Sequence, residues 1–354
     1  MINFIQNLKK IQSSFWSSFD VCFDLGTSNT RIGIKDRGVI LRQPSILGLN
    51  SKTKEYIFYG SEAKKVIGKT PDFIKIIKPV VNGIISNFDS ELALIQYFNS
   101  TSLNHYLSSY KIIRPVLKAI VAVPYMTTEI EKKAVEEVLY KLNFTNVYLI
   151  EKPVANAAGT GFNPLSHQPT LIIDLGGGLI EAAIVSGGGI VSEKIMKNAG
   201  DNFNQIIANY IYLKHGLILG ESTCEQVKQS LLNFKSEDKV IAVRGKSLEN
   251  GLPKSIRLKS GDVKESLFTV ISQIIDLIKE LIEISPPEVV DEIYDQGIFL
   301  CGGLANVPGI DQFISKEVKI SVNIAEHPSD TTINGLLKIC NNKDLLSKLA
   351  ISPI

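Results

Sequence analysis

The sequence has little that would tie it together covalently or draw it to a polyanion. Its 354 residues include four cysteines, Cys22, Cys224, Cys301 and Cys340, and no C-x-x-C pair. Most of these lie in apolar runs, which argues against a disulfide framework or a zinc knuckle and reads as buried thiols in a reducing cytosol. An excess of one charge is also missing. Lys and Arg total 38 against 36 Asp and Glu, with no block of like charge, so nothing in the balance recruits nucleic acid. No apolar stretch approaches the roughly 20 residues that span a bilayer. There is no G-x-x-x-x-G-K-[ST] loop, and no glycine turn leads from strand into helix as a dinucleotide-binding turn does. The composition is instead one for packing. With 44% hydrophobic and 21% charged residues, a largely disordered chain is excluded. The length allows roughly two or three domains, or one large duplicated one.

The first twenty residues read MINFIQNLKKIQSSFWSSFD. Lys9 and Lys10 interrupt the segment and no continuous apolar core follows, so it is not a signal peptide. At about 100° per residue, Phe4, Ile5, Leu8, Ile11, Phe15, Trp16 and Phe19 share one side of a helix, with Gln12 the intruder. Two readings stand. The helix packs on protein, or it lies in a lipid headgroup layer with its aromatics inserted and its lysines near anionic lipid. It precedes the first core strand as an appendage, which favours the membrane. Residues 1–19 are therefore expected to form an amphipathic membrane-binding helix.

Two glycine-rich turns carry the chemistry. In VCFDLGTSNTRIGIK (21–35) an apolar strand ends at Asp24, passes through Gly26-Thr27-Ser28-Asn29, and returns as an alternating strand. In TLIIDLGGGLIEAAIVSGGGIV (170–191) the same plan recurs, with Asp174 and Gly176-Gly177-Gly178. The two aspartates stand 174 − 24 = 150 residues apart, which predicts two similar halves. Glycines let backbone N–H groups close on phosphate oxygens. Thr27, Ser28 and Asn29 add side-chain donors, and an aspartate at each strand end can hold hydrated Mg²⁺. One such hairpin is common; two at half-chain spacing are much more specific.

With these motifs the chain resembles the actin superfamily of ATPases, and within it the MreB family of bacterial actin-like filament proteins. The resemblance runs from Asp24 to about Lys338. It includes IKPVVNGIISNF (77–88), AVPYMTTEIEKKAV (122–135), LIEKPVANAAGTG (149–161), NAGDNF (198–203), GLILGESTCEQVK (216–228) and CGGLANVPGI (301–310). The most discriminating stretch is VRGKSLENGLPKS (243–255), similar to one that MreB proteins carry in the small lobe of the second half.

The resemblance implies an α/β, actin-like ATPase fold: two duplicated lobes, each a mixed βββαβα sheet with a smaller inserted subdomain, and a nucleotide cleft between them. The first lobe is expected at 20–160 and about 325–354, with its small subdomain near 36–90. The second is expected at 161–324, with its small subdomain near 200–262. The implied cofactors are ATP and Mg²⁺. Gly200, Asp201, Glu225, Lys228, Gly302 and Gly303 would join the two hairpins around the nucleotide, and Glu131, near a helix start, would orient the attacking water. Glu225 and Lys228, three apart on an expected helix, share one face.

The implied function is a cytoskeletal protein that forms membrane-associated filaments, in paired protofilaments, and maintains cell shape. It would sit in the cytoplasm on the inner face of the membrane, with itself, cell-shape membrane proteins and MreB paralogues as partners. The alternatives are a non-polymerising ATP-regulated binding module and a small-molecule kinase of the same superfamily, for which no sugar pocket or aspartate-base motif is found. Tyr106 and Leu107 are candidates for a second apolar membrane loop. The chain also departs from the family pattern. Leu179 and Ile180 replace two threonines, Glu151-Lys152-Pro153 replaces a Glu-Glu-Pro turn, Ala199 precedes Gly200, and Leu304 cuts short a glycine run. Slow ATP hydrolysis is the expected consequence.

Overall fold

The computed structural model describes residues 18–108, 110, 115–235 and 238–351. Its first sheet comprises Ser18–Leu25 (β1), Asn29–Ile34 (β2), Gly38–Pro44 (β3), Val116–Val123 (β4) and Asn146–Glu151 (β5). The order is β5-β4-β1-β2-β3. β1 to β3 form an antiparallel meander, and β4 and β5 add in parallel beyond β1. The apolar runs of β1 and β4 are buried over most of their length, as expected for strands covered on both faces.

The second sheet repeats the first. It comprises Thr170–Leu175 (β6), Ile180–Ser186 (β7), Gly189–Met196 (β8), Ile298–Cys301 (β9) and Val322–Ile324 (β10). β6 to β8 are an antiparallel meander, and β9 and β10 add in parallel beyond β6. The duplication predicted from the two aspartates thus extends to strand order and polarity. It reaches the register as well. Asp24 is paired with Arg31 across the first hairpin, and Asp174 with Glu181 across the second.

The helices Lys152–Thr160 and Thr331–Asn341 lie between the two sheets. Their Val154, Ala155 and Leu336 share a core with Cys22, Ile120 and Ile150 of the first sheet and Ile172, Val185 and Cys301 of the second. The helices cross closely. A Cβ on Gly335 would collide with the Ala155 carbonyl, and one on Gly159 with that of Thr331. The outer face of the first sheet packs Phe23, Phe98 and Leu139. The second is covered by Ser260–Glu283, which buries Leu267, Ile274 and Ile278 along one stripe. All four cysteines are buried and free.

Three small antiparallel sheets complete the fold among the described residues: Leu47–Asn50 with Tyr56–Tyr59 and Ile74–Ile77, Val80–Val81 with Ile84–Ile85, and Leu217–Ile218 with Val240–Ser247 and Pro253–Lys259. The VRGKSLENGLPKS segment forms the hairpin of the sheet that begins at Leu217.

Phe19 corrects the sequence reading. It lies in β1 and not on a helix, and is only 5% exposed. Phe19, Val21 and Phe23 follow the two-residue period of one strand face, and Phe19 meets Tyr110 edge-on at 6.2 Å. Its apparent place on the helical stripe is a coincidence of spacing. Phe4, Ile5, Leu8, Ile11, Phe15 and Trp16 lie outside the described residues. Tyr106 and Leu107, in the short helix Asn104–Leu107, pack partly buried against the first core. Among the described residues no helix is long and apolar enough to cross a membrane.

Candidate functional site

The β1–β2 and β6–β7 turns meet across a cleft of about 560 Å³, well within the range of roughly 300–1,000 Å³ for ligand sites. Both turns are small for a reason. A Cβ on Gly177 would strike Ser28 Oγ, and one on Gly178 would strike Thr27 Oγ1. The glycines therefore let two strand ends from opposite lobes come within contact distance.

The cleft brings together Asp24, Gly26, Thr27, Ser28 and Asn29 from the first hairpin with Asp174, Gly176, Gly177 and Gly178 from the second. Gly200, Asp201, Glu225, Lys228, Gly302 and Gly303 line it too. Gly302 follows β9 at φ +87°, where a Cβ would run into Asp174 Oδ1 and the Leu175 carbonyl. That left-handed backbone is available to glycine with little strain. Gly200 and Asp201 open the helix Gly200–His215, and their N–H groups donate to the Gly176 and Gly177 carbonyls at 3.2 and 2.7 Å, which fixes the helix start against the second hairpin. Ser28 Oγ donates to Asp201 Oδ1 at 3.2 Å, a direct link between the lobes.

Glu225 and Lys228 lie on one face of the helix Glu221–Leu231, paired at 2.7 Å. Lys228 Nζ also donates to the Gly200 carbonyl at 2.8 Å, and Asn204 Nδ2 to Glu225 Oε2 at 2.7 Å. Burial opposes the Glu225 charge, but Lys228, Asn204 and Gln229 outweigh it and hold the carboxyl below its ordinary value. Leu232, Leu304, Val307 and Pro308 form an apolar wall in the same cleft. Glycine amides and hydroxyls near an apolar wall suit a ligand with an anionic end and a flat apolar end.

The sequence reading did not include Lys78 or Gly83 among the site residues. Lys78 spans to Asp201 Oδ2 at 3.4 Å and Glu221 Oε1 at 2.7 Å. Burial opposes its charge, while those two carboxylates raise its pKa. Gly83 N–H donates to Thr27 Oγ1 at 2.8 Å and brings the Val80–Ile85 hairpin to the cleft. Asn-Gly at 82–83 was a readable turn signal; that it reaches the cleft was not readable.

Both hairpin aspartates are already engaged. Lys152 Nζ lies 2.6 Å from Asp174 Oδ2. Arg31 Nη1 lies 3.0 Å from Asp24 Oδ2, and Arg31 Nε lies 3.0 Å from Asp330 Oδ1. Burial works against the Lys152 charge, but Asp174, Asp24 and Glu181 outweigh it and hold the ammonium well above the usual lysine range. The donor set does not fit a divalent ion as expected. Two fixed cations stand on the two carboxylates, which leaves neither bare for the hydrated ion expected between them.

Glu181 is buried beside this constellation. Its Oε1 accepts the Tyr125 N–H at 3.0 Å, and its Oε2 has no partner among the described residues. Burial pushes its carboxyl up to about 7. Glu131 is placed differently from the other predicted site residues: it is not among those lining the cleft. It closes a capping box at the start of the helix Glu129–Lys141, accepting the Thr128 N–H at 2.7 Å. The T-x-x-E spacing was a signal for this. Leu179 lines the cleft, whereas Ile180 is wholly buried in the second-lobe core.

Residues 18–348 match the family model described as MreB/Mbl protein. The chain is 32% identical over 336 residues to the cell shape-determining protein Mbl of Bacillus subtilis, covering 94% of this chain and 99% of that one. Among solved structures it is similar to MreB5 of Spiroplasma citri bound to ADP. The TM-score is 0.87 and the identity 29%, over 93% of this chain and 98% of that one. The same protein bound to AMPPNP gives a TM-score of 0.84 at 30% identity, over 91% and 96%.

Proposed function

This chain belongs to the MreB/Mbl protein family, and from that premise we propose that it is an actin-like cytoskeletal protein whose self-assembly is governed by ATP. The observation that carries the reading is the pair of glycine hairpins meeting from opposite lobes. A nucleotide held by both hairpins makes the relative position of the lobes depend on what is bound, which is how a ligand with differential affinity shifts a conformational equilibrium. The ADP and AMPPNP complexes of MreB5 support a diphosphate and a triphosphate as occupants.

In this reading the polyphosphate lies against the Gly26–Asn29 and Gly176–Gly178 turns, with Gly302 and Gly303 beneath. The nucleoside side lies towards Glu225, Lys228 and the apolar wall. No ligand role is assigned to magnesium. Hydrolysis is slow: Leu179 brings no hydroxyl to the cleft, and Glu131 must leave its helix cap before it can align water. The filaments act on the inner face of the cell membrane in shape maintenance, with other copies of this chain, paralogues and membrane-bound shape proteins as partners. The amphipathic pattern of residues 1–16 supports the membrane attachment.

Calorimetric titration with ATP tests the nucleotide reading. The parent should bind, and the paired change Thr27→Ala, Ser28→Ala should weaken binding about tenfold, the loss of roughly 1.4 kcal/mol of hydroxyl contacts. A folded parent that takes up neither ATP nor ADP would contradict it.

A further inference from the structure

The two strand-end aspartates each hold a side-chain cation from this chain. Asp24 and Asp174 contribute two negative charges; Arg31 and Lys152, at 3.0 and 2.6 Å from them, contribute two positive ones. The four residues line the same cleft. Arg31 is held further by Asp330, which Arg42 also pairs at 2.7 Å. Lys152 begins the helix Lys152–Thr160 at the end of β5, so its backbone is fixed by the sheet. Asp174 takes one N–H of an ammonium that has three, and the other two have no acceptor among the described residues.

A polyphosphate entering between the hairpins therefore meets fixed cations where two bare carboxylates would demand a mobile one. A carboxylate and a phosphate in one cleft repel each other, so bare carboxylates there would oppose a nucleotide unless a cation came with it. Here that repulsion is cancelled by Lys152 and Arg31 before any ligand arrives. We propose that Lys152, supported by Arg31, is a built-in counter-ion that lets this cleft bind a nucleoside di- or triphosphate without a divalent metal. The inference rests on the nucleotide reading above and deepens it: it concerns what neutralises the phosphates. The ammonium remains on Asp174 in the empty state and shares its free N–H groups with phosphate oxygens in the loaded state.

The test is displacement of a fluorescent ATP analogue by ATP, with MgCl₂ and again with EDTA, on the full chain. The parent should bind ATP with affinities that agree within about threefold in the two conditions. Lys152→Glu restores a third carboxylate, and its affinity should fall at least about tenfold in EDTA and recover with Mg²⁺. Lys152→Gln, a milder change for the fold, should bind at least about tenfold more weakly than the parent in EDTA and regain most of the loss with Mg²⁺. Parent binding that collapses in EDTA, or Lys152→Gln binding in EDTA as tightly as the parent, overturns the inference and leaves the nucleotide reading intact. Absence of parent binding in both conditions overturns both. The parent comparison alone decides the question if the variants do not fold.

Discussion

Single buried groups set much of this protein's response to its surroundings. Glu91 is wholly buried in the helix Phe88–Ser102, and neither carboxylate oxygen has a partner among the described residues. Burial raises its pKa to about 8. The folded state therefore holds a proton on Glu91 that the unfolded state releases at about 4.5. Its contribution to stability is fully present below about 4.5 and is lost as pH rises from there to about 8. Glu91→Gln should be close to neutral at pH 5 and stabilising by on the order of a few kcal/mol at pH 8.5, read as denaturation midpoints. A gap that does not widen with pH would contradict the placement. At the cleft, Leu179→Thr should raise phosphate release several-fold by returning a hydroxyl to the wall. Ile180 should be left alone, since a hydroxyl there would be buried without a partner. Unchanged turnover in Leu179→Thr would count against the proposed link between the absent hydroxyl and slow hydrolysis.

At the scale of elements, the hairpins, the two aspartates and the Glu225–Lys228 face were legible because each is local: strand period, turn composition and helix spacing are read within a few residues. Lys152 was legible only as a charge reversal. Its partner could not be read, because the contact joins the end of β5 in one half to the end of β6 in the other. Arg31 and Glu181 could have been matched, since both stand seven residues after a hairpin aspartate, and the register pairs them accordingly. Phe19 failed for the opposite reason. Helical spacing carries three residues past Trp16 into a strand whose own period accounts for Phe19 better. The proposed membrane element accordingly ends before β1. A variant lacking residues 1–16, and the pair Phe15→Glu, Trp16→Glu, should co-sediment with anionic vesicles markedly less than the full chain and keep its thermal stability. Equal pelleting would show that this face packs on protein. Phe19→Glu, by contrast, should cost stability, on the order of 3–5 kcal/mol for loss of a buried aromatic.

For the whole molecule, the duplicated sheets and the helix pair between them make a two-lobed body that a ligand at the hairpins can bias. Filaments would then multiply a modest membrane affinity, because many amphipathic segments sit on one assembly. The claim that joins these levels is that bound ATP drives self-assembly. Electron microscopy of the purified full chain, with ATP and without nucleotide, on anionic vesicles, tests it most directly. Filaments on the membrane are expected with ATP, and dispersed particles without it. Dispersed particles in both conditions, from protein shown by titration to be saturated with ATP, would contradict it.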